Sequence, residues 1–162
     1  MQIKIHNEGK IFFFIFLILT IFAIPFSLIS AIFLLIIKIY IYYFFRDPDR
    51  SIPVDDFIVS PADGKITYIG FTDPPTELNI NEKFIKISIF LNIFNVHVNR
   101  MPTDGIVKKI DYIHGKFINA SLDKSSKDNE RNIITINKDN KDIFIITQIA
   151  GLIARRIVCN VK

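Results

Sequence analysis

SIFLNIFNVHVNRMP, Ser88–Pro102, is the stretch on which the reading of this chain turns. Ile and Phe alternate with polar residues from Phe84 to Phe94, a pattern that predicts a half-buried strand, and Val96–Val98 predicts its continuation. Into that strand the sequence sets one histidine, His97, beside Asn95, Asn99 and Arg100. An imidazole among apolar β-formers either fills a core or does chemistry. Here the polar neighbours point to chemistry. Two other segments stand out, VSPADG at Val59–Gly64 upstream and QIAGLIARRIV at Gln148–Val158 downstream.

Working outward, further β signals surround this stretch. Phe57–Val59 and Lys65–Phe71 flank the SPADG turn, and Asp73–Asn81 reads as a Pro-containing loop. Ile106–Ile113 predicts a strand opened by the Asp104-Gly105 turn. Asn119–Arg131 is polar and aperiodic, as a loop would be. Asn132–Asn137 and Asp142–Ile149 predict a hairpin around Lys138–Lys141, and Ala154–Val161 a last strand. The fold class expected is mainly β, an antiparallel barrel- or sandwich-like domain over residues 46–162.

Residues 1–45 differ in kind. Ile11–Ile37 is apolar except for Thr20, Ser27 and Ser30, with Pro25 inside, and the apolar run resumes after Lys38 until Arg46. A bilayer core of ~30 Å needs ~20 apolar helical residues, so the block is long for one span and short for two. Pro25 and Ser27 mark a break. The expectation is a membrane-associated hydrophobic hairpin of two helices, Lys10–Ile24 and Ser27–Phe44, dipping into or crossing a bilayer. Basic residues on both flanks place both ends on the cytoplasmic side. A cleavable leader does not fit, because more Phe and Tyr follow the apolar stretch instead of small residues. FFRDPDRSIP, Phe44–Pro53, is the junction to the β domain.

Charge and cysteine content narrow the function. From Arg46 onward, 17 Lys and Arg face 15 Asp and Glu, and no basic run occurs, so nucleic acid is not an expected partner. The single cysteine, Cys159, belongs to no metal-spaced Cys/His set and reads as a small buried hydrophobe. No metal is expected.

Taken alone, the candidate residues remain open. Asp63 in SPADG sits where Pro61 fixes φ and Gly64 permits positive φ, so its carboxylate is held rigidly. It either caps its own turn or orients a histidine. His97 is a core histidine or a proton-handling one. Asn95 and Asn99 either hydrogen-bond within the core or line a site. His114 reads as a turn residue, and His6 has no assigned role. Arg155 and Arg156 point to opposite faces of a strand, so at most one, taken as Arg155, faces a site.

FFRDPDRSIP, VSPADG, ISIFLNIFNVHVNRMPTDG, GKFINASLDKSSKDNERN and QIAGLIARRIV together resemble the successive blocks of short-type bacterial phosphatidylserine decarboxylase proenzymes, from about Phe44 to the last residue. The resemblance implies a pyruvoyl-dependent enzyme of phospholipid biosynthesis on the cytoplasmic face of the inner membrane. A Gly-Ser bond undergoes an N→O acyl shift, and β-elimination leaves a pyruvoyl group at a new N-terminus. That group acts as electron sink while phosphatidylserine loses CO2 to become phosphatidylethanolamine. It further implies that Asp63 and His97 are two members of an Asp-His-Ser processing set. Asn95, Asn99, Arg100 and Arg155 are the candidates for substrate contact from the residues themselves; either His97 serves both processing and decarboxylation, or Arg100 meets the substrate carboxylate or phosphate. Arg100 stands where the longer branch of the family has a second histidine. The implied partners are phosphatidylserine, an anionic membrane and a C-terminal α-subunit-like chain, and a homodimer is admitted.

One departure bears on all of this. The six glycines lie at positions 9, 64, 70, 105, 115 and 151, and none is followed by serine. Ser121, Ser125 and Ser126 lack the Gly-Ser context. The expectation is an N-terminal, β-subunit-like portion that stops before the pyruvoyl-forming serine, through a truncated gene, a split gene or a decayed copy. The alternative is a catalytically inactive membrane-anchored remnant or lipid-binding module.

Overall fold

The computed structural model describes residues 3–54, 57–78, 80–119, 125–138 and 142–161. They form two compact units, Met1–Lys65 with Leu91–Arg100, and Ile66–Phe90 with Met101–Lys162.

In the first unit, strand β1 (Ile3–Ile5) leads into helix α1 (Asn7–Ala23) and helix α2 (Leu28–Phe44), followed by strand β2 (Arg46–Pro48). The two strands pair antiparallel, Lys4 opposite Asp47, and clamp the open end of the helical hairpin. The helices start where local chemistry dictates. His6 caps α1 by accepting the Glu8 N–H, and Ser27 caps α2 by accepting the Ser30 N–H. Gly9 lets the helix base close up, since a Cβ there would lie 2.3 Å from Phe45 Cβ. Phe12 stacks on Phe45 with ring centroids 5.9 Å apart.

The hairpin was expected to dip into or cross a bilayer, and the structure corrects the second of these. Each helix has 17 residues. At 1.5 Å per residue that is about 26 Å, short of a ~30 Å hydrocarbon core. No helix among the described residues is long and apolar enough to cross a membrane. The break at Pro25–Ser27 is the cause: the Ser27 N–H turns back to the Ala23 carbonyl (2.9 Å), and its side chain starts a new helix.

In the second unit, strand β3 (Lys65–Thr72) pairs with β4 (Phe84–Phe90). Strand β5 (Ile106–Ile113), the short helix α3 (Ser125–Asp128), and strands β6 (Arg131–Lys138) and β7 (Asp142–Ile149) follow. The last sheet runs β5-β6-β7, antiparallel throughout, with Ile133 opposite Asp111 on one side and Thr147 on the other. Central β6 is the core, with Ile133, Ile134 and Ile136 buried. Gly105 adopts a φ of +155°, and a Cβ there would meet Ile136 Cγ2 at 2.7 Å, so glycine is required where the chain enters β5.

The barrel or sandwich expected from the sequence is not what forms. Among the described residues the strands make three small sheets, of two, two and three strands. The deciding stretch explains part of the difference. Strand β4 stops at Phe90 because asparagines bind the backbone instead of the ladder: Asn95 Oδ1 accepts the Asn92 N–H, and Asn92 Oδ1 accepts the Phe94 N–H, both at 2.8 Å. Residues 57–59 and 154–161, expected as strands, are irregular; turns from Gly151 N–H to the Ala154 carbonyl and from Arg155 N–H to the Ile153 carbonyl open the latter. The expected loop 119–131 carries α3 in its described part, while residues 120–124 and 139–141 of the expected loop and turn lie outside the described residues.

An ion pair ties the Asp73–Asn81 segment to β6: Arg131 Nη2 lies 2.6 Å from Glu77 Oε1. The carboxyl of Glu77 is held below its ordinary value of 4.5, first by a backbone hydrogen bond and then by Arg131. A carboxyl lowered in the folded state contributes stability above its unfolded pKa and loses it as pH falls through the folded one. Urea unfolding measured at successive pH values is therefore expected to show an acid limb, below about 4.5, that Glu77→Gln makes shallower. An identical limb in the variant would rule out the pair as a contributor.

Candidate functional site

Asp63, His97, Asn95, Asn99 and Arg100 all lie in the first unit, and Arg155 lies in the second. The SPADG turn and the His97 segment are joined by a backbone hydrogen bond, Arg100 N–H to the Pro61 carbonyl, 2.9 Å. The Ser60 hydroxyl donates to the Ala62 carbonyl (2.8 Å), and Gly64 takes a φ of 152°. The turn thus presents Asp63 half-buried at its apex.

His97 is half-buried and its ring is fixed on two sides. Nδ1 lies 3.0 Å from the Asn95 carbonyl. A carbonyl only accepts, so Nδ1 carries the proton and Nε2 keeps its lone pair. The ring stacks on Phe44, centroids 4.2 Å apart and planes 22° from parallel. Burial pushes the imidazole pKa down; the Asn95 carbonyl opposes this, and the Arg46 charge adds to it. At neutral pH the arrangement offers an uncharged base with one free nitrogen.

The structure brings Asp63 and His97 into one unit but does not bond them to each other. The Asp63 carboxylate goes to Arg50, Nη2 to Oδ2, 2.5 Å. Arg100 pairs with Asp47 and also donates to the Pro48 carbonyl at 2.9 Å. Asn95 spends its side chain on its own turn, and Asn99 is exposed. Arg155 is exposed, with Nε donating to the Leu152 carbonyl and its guanidinium 5.9 Å from the Phe117 ring.

Four residues escaped the sequence reading: Phe44, Arg46, Asp47 and Arg50. All belong to the FFRDPDR junction. Arg46 donates to the Phe94 carbonyl (2.8 Å) and the Tyr43 carbonyl (2.6 Å), fixing the turn before His97. Asp47, Arg50 and Arg100 line a cleft of about 320 Å³ with Lys4, Asp49 and Ile52. The charges around Pro48 gave no local signal of these pairings, which reach as far as 53 residues along the chain.

The sequence profile of the family described as phosphatidylserine decarboxylase matches residues 37–162. A protein of Pelagibacter ubique (strain HTCC1062) named phosphatidylserine decarboxylase proenzyme is 50% identical over 158 residues, spanning 96% of this chain and 74% of that protein. Proteins of the same name from Rickettsia typhi (strain ATCC VR-144 / Wilmington) and Ehrlichia chaffeensis (strain ATCC CRL-10679 / Arkansas) are 46% and 49% identical. Each aligns with 98% of this chain, which covers 69% and 70% of their lengths. The profile match and these identities establish that the chain belongs to the phosphatidylserine decarboxylase family of carboxy-lyases.

Proposed function

We propose that this chain carries the Asp63/His97 part of a phosphatidylserine decarboxylase, releasing CO2 from phosphatidylserine to leave phosphatidylethanolamine. The observation that carries the mechanism is His97 itself: a desolvated imidazole with its proton on Nδ1 and Nε2 free. Nε2 takes a proton from the substrate ammonium and returns one to the carbon that CO2 leaves. The net reaction consumes one proton from solvent. Asp63, held by Arg50, and Arg100, held by Asp47, place charge beside that segment to orient the headgroup's ammonium and carboxylate.

The family's pyruvoyl group would supply the electron sink that decarboxylation needs. The serine that yields it has no Gly-Ser counterpart in these 162 residues, so the chemistry assigned to this chain is proton handling and positioning. The name proenzyme, borne by the relatives, supports a processed enzyme of two chains. The exposed tip of the hairpin, with Phe26, Leu28 and Ile29 exposed by 74%, 68% and 82%, supports lodging in one bilayer leaflet without crossing it. Lys4 and Lys10 at its base suit the cytoplasmic face of the inner membrane.

The test is direct. Isolated in detergent from cells carrying the native gene, the protein is expected to release CO2 from phosphatidylserine in mixed micelles. Mass spectrometry is expected to find a chain beginning with a pyruvoyl group. Absence of both would refute the assignment. Asp63→Asn is expected to lower processing or turnover by roughly 10²-fold, the scale of a misplaced site. The Arg50 pair is solvent-exposed and worth at most about 1 kcal/mol, so the variant should stay folded. Wild-type rates in a folded Asp63→Asn protein would remove Asp63 from the site.

A further inference from the structure

We propose that Phe44, the last residue of α2, is a positioning residue for His97, so that the base of the helical hairpin sets the plane of the imidazole. This rests on the reading of His97 as the proton-handling group. Three contacts argue for it. The Phe44 and His97 rings overlap nearly parallel, 4.2 Å between centroids. Phe44 is itself held by Phe45, edge-on at 5.1 Å, and by Tyr40 at 6.1 Å on the previous turn of α2. Phe45 in turn stacks on Phe12 of α1 and closes over Gly9. The Phe44 ring therefore cannot move unless the helix ends move.

The edge of the imidazole is fixed by Asn95, whose carbonyl accepts a hydrogen bond from the Nδ1–H. Arg46 holds the adjoining Phe94 carbonyl and is the charge that acts on the ring. With both restraints the ring has one orientation, and Nε2 faces one direction. The ring face also withholds water from the imidazole, in keeping with its lowered pKa. A leucine would fill the volume but supply no flat face.

The experiment is histidine-selective NMR on the full chain in detergent, His97 being identified by the signal lost in His97→Gln. In the wild type its ring protons are expected upfield, from the ring current of Phe44; unshifted protons would overturn the stack before any variant is made. Phe44→Leu is expected to abolish that shift, raise the His97 titration midpoint toward the ordinary imidazole value, and lower kcat on the order of 10-fold, below the ~10²-fold of a one-ångström misplacement. Phe44→Tyr is expected to restore all three. A folded Phe44→Leu protein with an unaltered midpoint and kcat would overturn the positioning role. If the wild type shows the ring-current shift but releases no CO2, the assigned reaction fails while the stack stands, so the two readings are separable.

Discussion

Replacement of His97 by Gln is expected to lower CO2 release from phosphatidylserine by about 10²–10⁴-fold, the usual contribution of a placed acid–base group. The glutamine amide can still donate to the Asn95 carbonyl, so the local turn survives. It cannot accept and return a proton, so the chemistry does not. The pH profile gives a second, sharper reading. Burial lowers the His97 pKa below 6.5, which keeps the imidazole neutral through neutral pH. The rate of the wild type is therefore expected to hold down to pH values below 6.5 and to fall as His97 protonates; the variant's residual rate should lack that limb. A His97→Gln protein that turns over normally, or a wild-type limb centred above 6.5, would displace His97 from the proton-handling role.

Why the sequence anticipated some of this and not the rest is a matter of range. The helical pair was visible because 27 uncharged residues, Ile11–Ile37, admit little else, and Pro25 with Ser27 sets the break chemically. Strand β5, and the pairing of β6 with β7, were visible because apolar periodicity ends at polar turns on both sides. The helix ends follow from the same break: expected at Lys10–Ile24 and Ser27–Phe44, they fall at Asn7–Ala23 and Leu28–Phe44, with Ser27 capping α2. The strand expected through His97 failed for a local reason. Two asparagines divert backbone donors at Asn92 and Phe94 into a turn, and a hydrophobic alternation does not record a competing side-chain acceptor. The frame around the site was hidden altogether. Arg50 meets Asp63 across 13 residues, Arg46 meets Phe94 across 48, and Arg100 meets Asp47 across 53. No local pattern encodes such pairings, so a segment read as a linker holds the site's charged partners.

Asn129→Ala is expected to destabilise the second unit by about 3 kcal/mol, since each buried partner left unpaired costs about 1–3 kcal/mol. Asn129 is fully buried at 0% exposure. Its Oδ1 accepts the Ile118 N–H at 3.0 Å, while Nδ2 donates to the Ile118 and Ala150 carbonyls, both at 2.8 Å. These bonds tie together the chain just past the ends of β5 and β7 and just before the start of β6, where the sheet ladder stops. Backbone bonds run alongside them: Lys116 N–H to the Asp128 carbonyl, Glu130 N–H to the Lys116 carbonyl, and Ala150 N–H to the Glu130 carbonyl. Removing the amide strands one donor and two acceptors, the Ala150 carbonyl fully buried and the Ile118 groups half-buried, and the backbone bonds alone cannot replace it. Asp in its place should be worse, because it keeps the acceptor, loses both donors and introduces a charge that burial penalises. Leu should not rescue, because the unpaired groups are main-chain and stay behind. Against a typical total of about 5–15 kcal/mol, the loss should move the urea midpoint clearly while leaving the slope unchanged. A change below about 1 kcal/mol for Asn129→Ala would mean that water reaches these groups and that the junction is held by its backbone alone.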